Sequence, residues 1–280
     1  AGLEVPREGG AAPAQPHDEL YVALERAALY FRQSLGGEAR AREYLSRRGL
    51  SHDIIQRFGI GFAPARWDGL LDRHGTTDDE RQILLRAGLI IERQPDATRG
   101  QSPGFYDRFR DRVMFPIRDT RGRTIGFGGR VLDGSEPKYL NSPETELFHK
   151  GRELYGLFEC RQATRSLQRL LVVEGYMDVV SLRQAGITYA VATPGTATTP
   201  EHLQRVFRLV GEVVVCGIRT EQCVEMTARL ASDLGYDVTF VIDERAEARM
   251  EEFLAERASG VAFYSEDRGM VSPSGSDAEW

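Results

Sequence analysis

The sequence is poor in lysine. Of its 36 basic residues only Lys138 and Lys150 are lysines, and the other 34 are arginines. It is also poor in cysteine. Cys160, Cys216 and Cys223 are the only three in 280 residues, too few for a disulfide framework, so a reducing, cytoplasmic setting is expected. His17, His52, His74, His149 and His202 are dispersed, and no Cys/His spacing suits zinc. No apolar run reaches the ~18 residues of a membrane span. The opening AGLEVPREGG has no apolar stretch of the kind a secretory signal carries. No membrane partner is therefore expected. A hydrophobic share of 41% and a charged share of 28% exclude wholesale disorder and a coiled coil.

An excess of positive charge is missing too. The 36 basic residues face 42 acidic ones, for a net charge of -6, which on its face argues against a polyanionic partner. The deficit is local. Residues 241–280 hold 10 acidic and 4 basic side chains, which accounts for all of it, whereas residues 101–170 hold 13 basic and 9 acidic ones. Arginine suits bidentate phosphate contacts better than lysine does.

Three textures follow one another along the chain. Residues 1–18, rich in Gly, Pro and Ala, read as a linker. Leu20, Leu24, Ala27, Ala28, Phe31 and Leu35 recur at helical spacing up to the Gly36-Gly37 stop. Further helices are expected at about 38–48, 52–58, 68–71 and 78–87, with a turn at 59–64. Short β-rich runs follow at Val113–Ile117, Thr124–Phe127 and Lys138–Leu140. From Leu170 strands alternate with helices. Strands are expected at 170–173, 189–192, 212–216 and 238–242, with helices at 178–184, 200–210 and 221–234. This alternation predicts βαβ units and a parallel sheet. An acidic helix (Arg245–Arg257) and a Gly/Ser/Asp tail are expected to close the chain.

The sharpest local signal is the run LLVVEGYMDVV ending at Val180. An apolar strand ends at Glu174, Gly175 gives backbone room, and Asp178 lies four residues on. Ligands of parallel α/β sheets bind off the carboxyl ends of strands. Mg²⁺ takes one or two carboxylates together with substrate phosphates. Glu174 and Asp178 are thus candidate metal ligands, with helix capping by Glu174 as the plainer alternative. Farther on, Thr198 or Thr199 in PGTATTP (194–200) is a candidate helix cap and phosphate-holding loop.

Long runs in order carry a family resemblance: YDRFRDRVMFPIRD (106–119), RGRTIGFGGRVL (121–132), PKYLNSPET (137–145), FHKGRELYGL (148–157), VVEGYMDVVSL (172–182) and VATPGTATTPEHLQRVFRLV (191–210). Residues 1 to about 216 resemble the RNA-polymerase core of bacterial DnaG-type DNA primases, with a Toprim module. The resemblance implies a DNA-directed RNA polymerase, a nucleotidyltransferase making short RNA primers on single-stranded DNA from ribonucleoside triphosphates. It implies Glu174 as the key acidic residue of catalysis, serving metal-dependent phosphoryl transfer. It implies Mg²⁺ or Mn²⁺ as cofactor, with Glu174 and Asp178 as ligands. Arg110, Arg112 and Arg118 would line the basic surface for template or nucleotides. Arg130, Lys138, Tyr139, Asn141 and Lys150 would lie in loops beside the metal. Tyr106, Phe109, Phe127 and Tyr139 interleave with the arginines and are candidates to stack bases, with a solvated charged face over core aromatics as the plainer alternative on the residues alone. A replicative helicase is the family's expected partner, although no helicase-binding region is recognisable.

The chain then departs from the family. Ile218 and Thr220 stand where the family has two metal-binding aspartates, with Arg219 between them. Weak metal binding, and primer synthesis reduced or lost, are expected from this. That would leave a silent single-stranded-DNA-binding module as the first alternative. Residues 216–243 instead resemble a segment of isochorismatase-like cysteine hydrolases. The second alternative is therefore a cysteine hydrolase with Cys223 as nucleophile at a helix start.

The expected fold is α/β. A mixed, basic subdomain over 19–168 precedes a Toprim-like parallel sheet flanked by helices over 169–243, and 244–280 form the acidic helix and tail.

Overall fold

The structure is a computed structural model that describes residues 17–94, 103–164, 166–173, 175–195, 198–210, 212–216, 225–236, 238–242 and 260–265. The helical opening follows the sequence periodicity. Helix α1 (Asp18–Gly37) buries Leu20, Ala23, Leu24, Ala27, Ala28, Phe31 and Leu35. Helix α2 (Ala39–Arg47) follows at once, with the Glu38 side chain accepting from the Arg40 N–H. In α3 (His52–Phe58) Ser51 caps the start, and Gly59, with φ of 65°, closes the end in the left-handed region. Helix α4 (Gly69–His74) is short, and α5 (Asp78–Arg86) opens with a reciprocal Thr77–Glu80 capping box.

Segment 59–64 is not only a turn. Gly61–Ala63 form a buried strand, β1, antiparallel to β4 (Arg112–Arg118). The reason is a close approach. A Cβ on Gly61 would lie 2.6 Å from the Phe31 Cβ of α1, so only glycine lets this strand run against the helix. Strands β2 (Ile90–Arg93) and β3 (Gly104–Asp107), absent from the sequence reading, pair as an antiparallel hairpin. Strand β5 (Thr124–Val131) and β6 (Tyr139–Asn141) complete a four-stranded antiparallel sheet in the order β1-β4-β5-β6.

The second sheet is parallel, as the alternation predicted. Strands β7 (Arg169–Val173), β8 (Ala190–Ala192), β9 (Glu212–Cys216), β10 (Val238–Ile242) and β11 (Gly260–Ser265) lie in the order β10-β11-β9-β7-β8. Helices α6 (Leu157–Ala163), α7 (Tyr176–Gln184), α8 (Pro200–Phe207) and α9 (Glu225–Asp233) accompany them. Strand β11 corrects the expectation of a tail, since it pairs with both β10 and β9. The acidic helix expected at 245–257 and residues 1–16 of the linker expected at 1–18 lie outside the described residues, while Asp18 already belongs to α1.

The two sheets share one core. Phe58, Phe62 and Phe115 from the antiparallel part pack with Tyr155, Leu171, Val173 and Tyr176 from the parallel part. Tyr155 and Ala192 exchange both backbone hydrogen bonds, at 2.8 and 3.0 Å, which ties the lead into α6 to β8. The class is α/β, as expected. Among the described residues, no helix is long and apolar enough to cross a membrane.

Candidate functional site

Strand β7 points its carboxyl end at the seam between the two sheets. Glu174 lies there in sequence and outside the described residues. Gly175 is the N-cap of α7, with extended backbone. Asp178, three residues on, accepts the Gly175 N–H, which is one half of a capping box. Burial pushes the Asp178 pKa up, against the pull of that hydrogen bond and of Arg48 and Lys138. Asp178 therefore already has a structural partner. Among the described residues, no three His, Cys, Asp or Glu side chains come together as a metal site.

The opposite wall is the β5–β6 edge. The Tyr176 ring lies so close to β5 that a Cβ on Gly128 would sit 2.3 Å from it, so Gly128 makes room for the ring. The ring stacks on Phe115 at 5.5 Å, meets Tyr155 edge-on at 4.8 Å, and donates its hydroxyl to Asn141 Oδ1 at 2.7 Å. Tyr139 stands over this group at the surface, 36% exposed, its ring 6.2 Å from that of Tyr176. Arg130 Nε donates to the Tyr139 hydroxyl at 3.2 Å. The Lys138 ammonium lies 5.9 Å from the Tyr139 ring.

Two residues of this group were not found by sequence reasoning. Tyr44, on α2, is buried between two guanidinium groups, with Arg130 5.0 Å and Arg48 5.5 Å from its ring centre. The Tyr44 hydroxyl is buried without a hydrogen-bond partner. The four-residue spacing of Tyr44 and Arg48 was a visible sign that they share a helix face. Nothing in the sequence placed that face beside β5. The structure thus brings Arg48, Arg130, Lys138, Tyr139, Asn141 and Asp178 together at the end of β7.

Other candidates go elsewhere. Arg110 lies 4.1 Å above the Trp67 ring and 5.2 Å from Tyr106, which Arg93 approaches at 5.6 Å. Trp67 is 58% exposed, so this is a second open platform of arginine and aromatic faces. Beneath it Asp107 is buried and accepts the Leu70 and Leu71 N–H groups at 2.7 and 3.0 Å, and burial pushes its pKa up to about 6. Arg112 is buried and donates to the Pro137 carbonyl at 2.8 Å, steadying the lead into β6. Arg118 turns inward to Glu159 at 2.6 Å, the pair only 14% and 7% exposed, so it does not line an open basic surface. Phe109 and Phe127 are buried against each other in the core, which removes them as base-stacking groups. Lys150 sits on a loop whose N–H bonds Glu144 at 3.0 Å. Thr199 is the cap of α8, accepting the His202 N–H at 3.2 Å. Cys223, Ile218 and Thr220 lie outside the described residues.

Comparison with known proteins gives this arrangement a family. Residues 30–161 match the family model of the DNA primase catalytic core, N-terminal domain, and residues 168–242 match that of the Toprim domain. The chain is 53% identical over 220 residues to the DNA primase of Escherichia coli, covering 76% of this chain and 37% of that protein. It is 52% identical over 224 residues to the DNA primase of Pseudomonas aeruginosa, covering 77% and 33%. The chain thus spans about a third of the length of these relatives. Its fold is similar to a DnaG primase catalytic domain bound to ssDNA (TM-score 0.74, 43% identity, 86% of this chain and 79% of that one). It is likewise similar to a DNA primase domain from Pseudomonas aeruginosa (TM-score 0.75, 44% identity, 86% and 79%). The Toprim match runs through the stretch read as hydrolase-like and ends at 242, so the cysteine-hydrolase reading of 216–243 is set aside. The chain belongs to the DnaG-type DNA primases, as a catalytic core with a Toprim domain.

Proposed function

We propose that this chain is the RNA-polymerase core of a bacterial DNA primase, in which 19–168 supply the basic surface and 169–243 the Toprim module. It takes single-stranded DNA as template and joins ribonucleotides from their triphosphates into short RNA primers. The observation that carries this reading is the convergence of Arg48, Arg130, Lys138 and Tyr139 over the carboxyl end of β7, beside Asp178. Three cations and an exposed ring suit a phosphate backbone with an unstacked base. The Trp67–Arg110–Tyr106 platform offers a second stacking surface of the same kind. That a DnaG catalytic domain of the same fold was solved with ssDNA supports the partner.

The metal fits in part. Asp178, and Glu174 by its place after β7, are the carboxylates at this strand end, and Ile218 and Thr220 add none. Such a set suits a Mg²⁺ or Mn²⁺ ion held jointly with nucleotide phosphates, and weakly without them. When bound, the ion would neutralise charge on the reacting phosphates. This chain's own residues do the rest. Arg48, Arg130 and Lys138 hold phosphates, Tyr139 presents a ring, and the Asn141–Tyr176 hydrogen bond keeps the β6 edge against α7.

The test is primer synthesis on single-stranded template with Mg²⁺ or Mn²⁺, run beside the double variant Ile218→Asp, Thr220→Asp. Primers from the unaltered chain are expected only at high metal concentration, and from the double variant at lower concentration. Absence of both synthesis and template binding would overturn the reading.

A further inference from the structure

His202 is 2% exposed, and the chemistry assigned so far makes no use of it. Its surroundings fix its state. Thr199 N–H donates to its Nδ1 at 3.1 Å. The Thr199 hydroxyl gives its proton to the Gly151 carbonyl. Nδ1 is therefore an acceptor, and the ring proton sits on Nε2. From there it points to the Glu153 carbonyl at 3.0 Å. Arg205, on the same helix, donates to the Arg152 carbonyl and to Glu153 Oε2, each at 2.8 Å. The Thr199 cap and the first two turns of α8 thus hold the successive carbonyls of residues 151–153. This loop leads to Tyr155, which pairs with Ala192 at the end of β8, so it runs along the carboxyl edge of the parallel sheet.

We propose that His202 is a positioning residue for Lys150. Its Nε2–H and the Thr199 hydroxyl set the backbone of the 149–153 loop and so the reach of the Lys150 ammonium group at the sheet edge. The importance of that reach to function rests on the template-binding reading above together with the family resemblance that puts Lys150 in a loop beside the metal. The positioning itself does not.

The scarcity of lysine supplies the probe. Reductive methylation with ¹³C-formaldehyde keeps the positive charge, and it labels only Lys138, Lys150 and the chain's amino terminus. Loss of a signal in Lys150→Arg assigns its resonance. His202→Asn keeps an acceptor for Thr199 N–H and loses the donor toward the loop. His202→Gln carries an amide N–H out toward the loop carbonyls. The Lys150 signal is expected to move in His202→Asn, to return near its original place in His202→Gln, and the Lys138 signal to stay put in both. Thr199→Val, which cuts the other tether, is a second variant with the same expectation as His202→Asn. An unmoved Lys150 signal, or equal movement of both lysine signals, would overturn the proposal. Binding of a labelled oligothymidylate gives the functional arm. His202→Asn is expected to weaken it about tenfold, the lower end for a charge-assisted hydrogen bond, and to add nothing in a Lys150→Ala background. Additive losses would overturn the link between position and binding. If the unaltered chain binds no oligonucleotide, the functional reading fails while the spectra still decide the positioning.

Discussion

Asp107 shows how one residue can serve a surface it never reaches. Its carboxylate closes the start of α4 by accepting the N–H groups of Leu70 and Leu71, and its own N–H holds the Trp67 carbonyl at 2.7 Å. Trp67 and Arg110 are thereby kept face to face. At 4% exposure the charged form pays desolvation, and the pKa rises to about 6. A pKa raised on folding stabilises the protein fully below the unfolded value near 4, and that contribution is lost as pH rises through about 6. His202 works the other way. Burial lowers its pKa, so its contribution is lost as pH falls below the usual histidine range. The two slopes oppose each other, and the wild-type curve alone cannot separate them. Urea unfolding of Asp107→Asn beside the parent can. The parent should lose about 2 kcal/mol relative to the variant between pH 4 and pH 7. A difference that stays flat with pH would remove Asp107 as the titrating group.

Among the elements, what the sequence made legible depended on the range of the forces involved. Helices α1, α3 and α5 were readable to within about a residue, because the apolar spacing and the Gly36-Gly37 pair are local signals, as are the Ser51 and Thr77 caps that the structure adds. Strand β1 was hidden because its three residues owe their conformation to Phe31, thirty residues upstream. Strand β11 was hidden because its partners β9 and β10 lie far back along the chain. The candidate site split in the same way. Its β7 end and the Lys138–Asn141 edge were visible, whereas Tyr44 and Arg48 were not, since only packing of α2 beside β5 adds them. Arg118 was misread for a related reason. Its sequence shows a cation, and only the fold shows Glu159 beside it and the Arg57 carbonyl at 3.1 Å. That pair joins β4, α6 and the end of α3, so it is a joint between elements. Glu159→Ala would leave a buried guanidinium unpaired and should cost about 3 kcal/mol in chemical unfolding. Asp68→Ala, at the exposed Arg66–Asp68 pair, should cost under about 1 kcal/mol. Equal costs would mean that Arg118 finds water or another partner once Glu159 is gone.

For the molecule as a whole, the net charge of -6 is the wrong quantity to set against a polyanion. Charges act over about 10 Å at ordinary salt, so a strand of DNA meets the local field and not the sum. The acidic excess lies in residues 241–280, while the cations that converge on β7 come from the C-cap of α2, from β5 and from the lead into β6. If those cations neutralise phosphates, each one releases counterions when DNA binds, and the affinity falls with salt by a slope of about 0.7 per contact on a single strand. The double variant Arg130→Gln, Lys138→Gln should then lower the slope of log affinity against log salt by about 1.4, because two contacts are lost. Arg121→Gln changes the net charge too, at an exposed position in the β4–β5 turn away from the cluster, and should leave the slope alone. Fluorescence anisotropy of a labelled oligothymidylate over a salt series measures all three. Equal effects from Arg121 and from the cluster would mean that the chain is felt only as a diffuse charge. An unchanged slope in the double variant would place the phosphates elsewhere, with the Trp67–Arg110 platform as the next surface to neutralise.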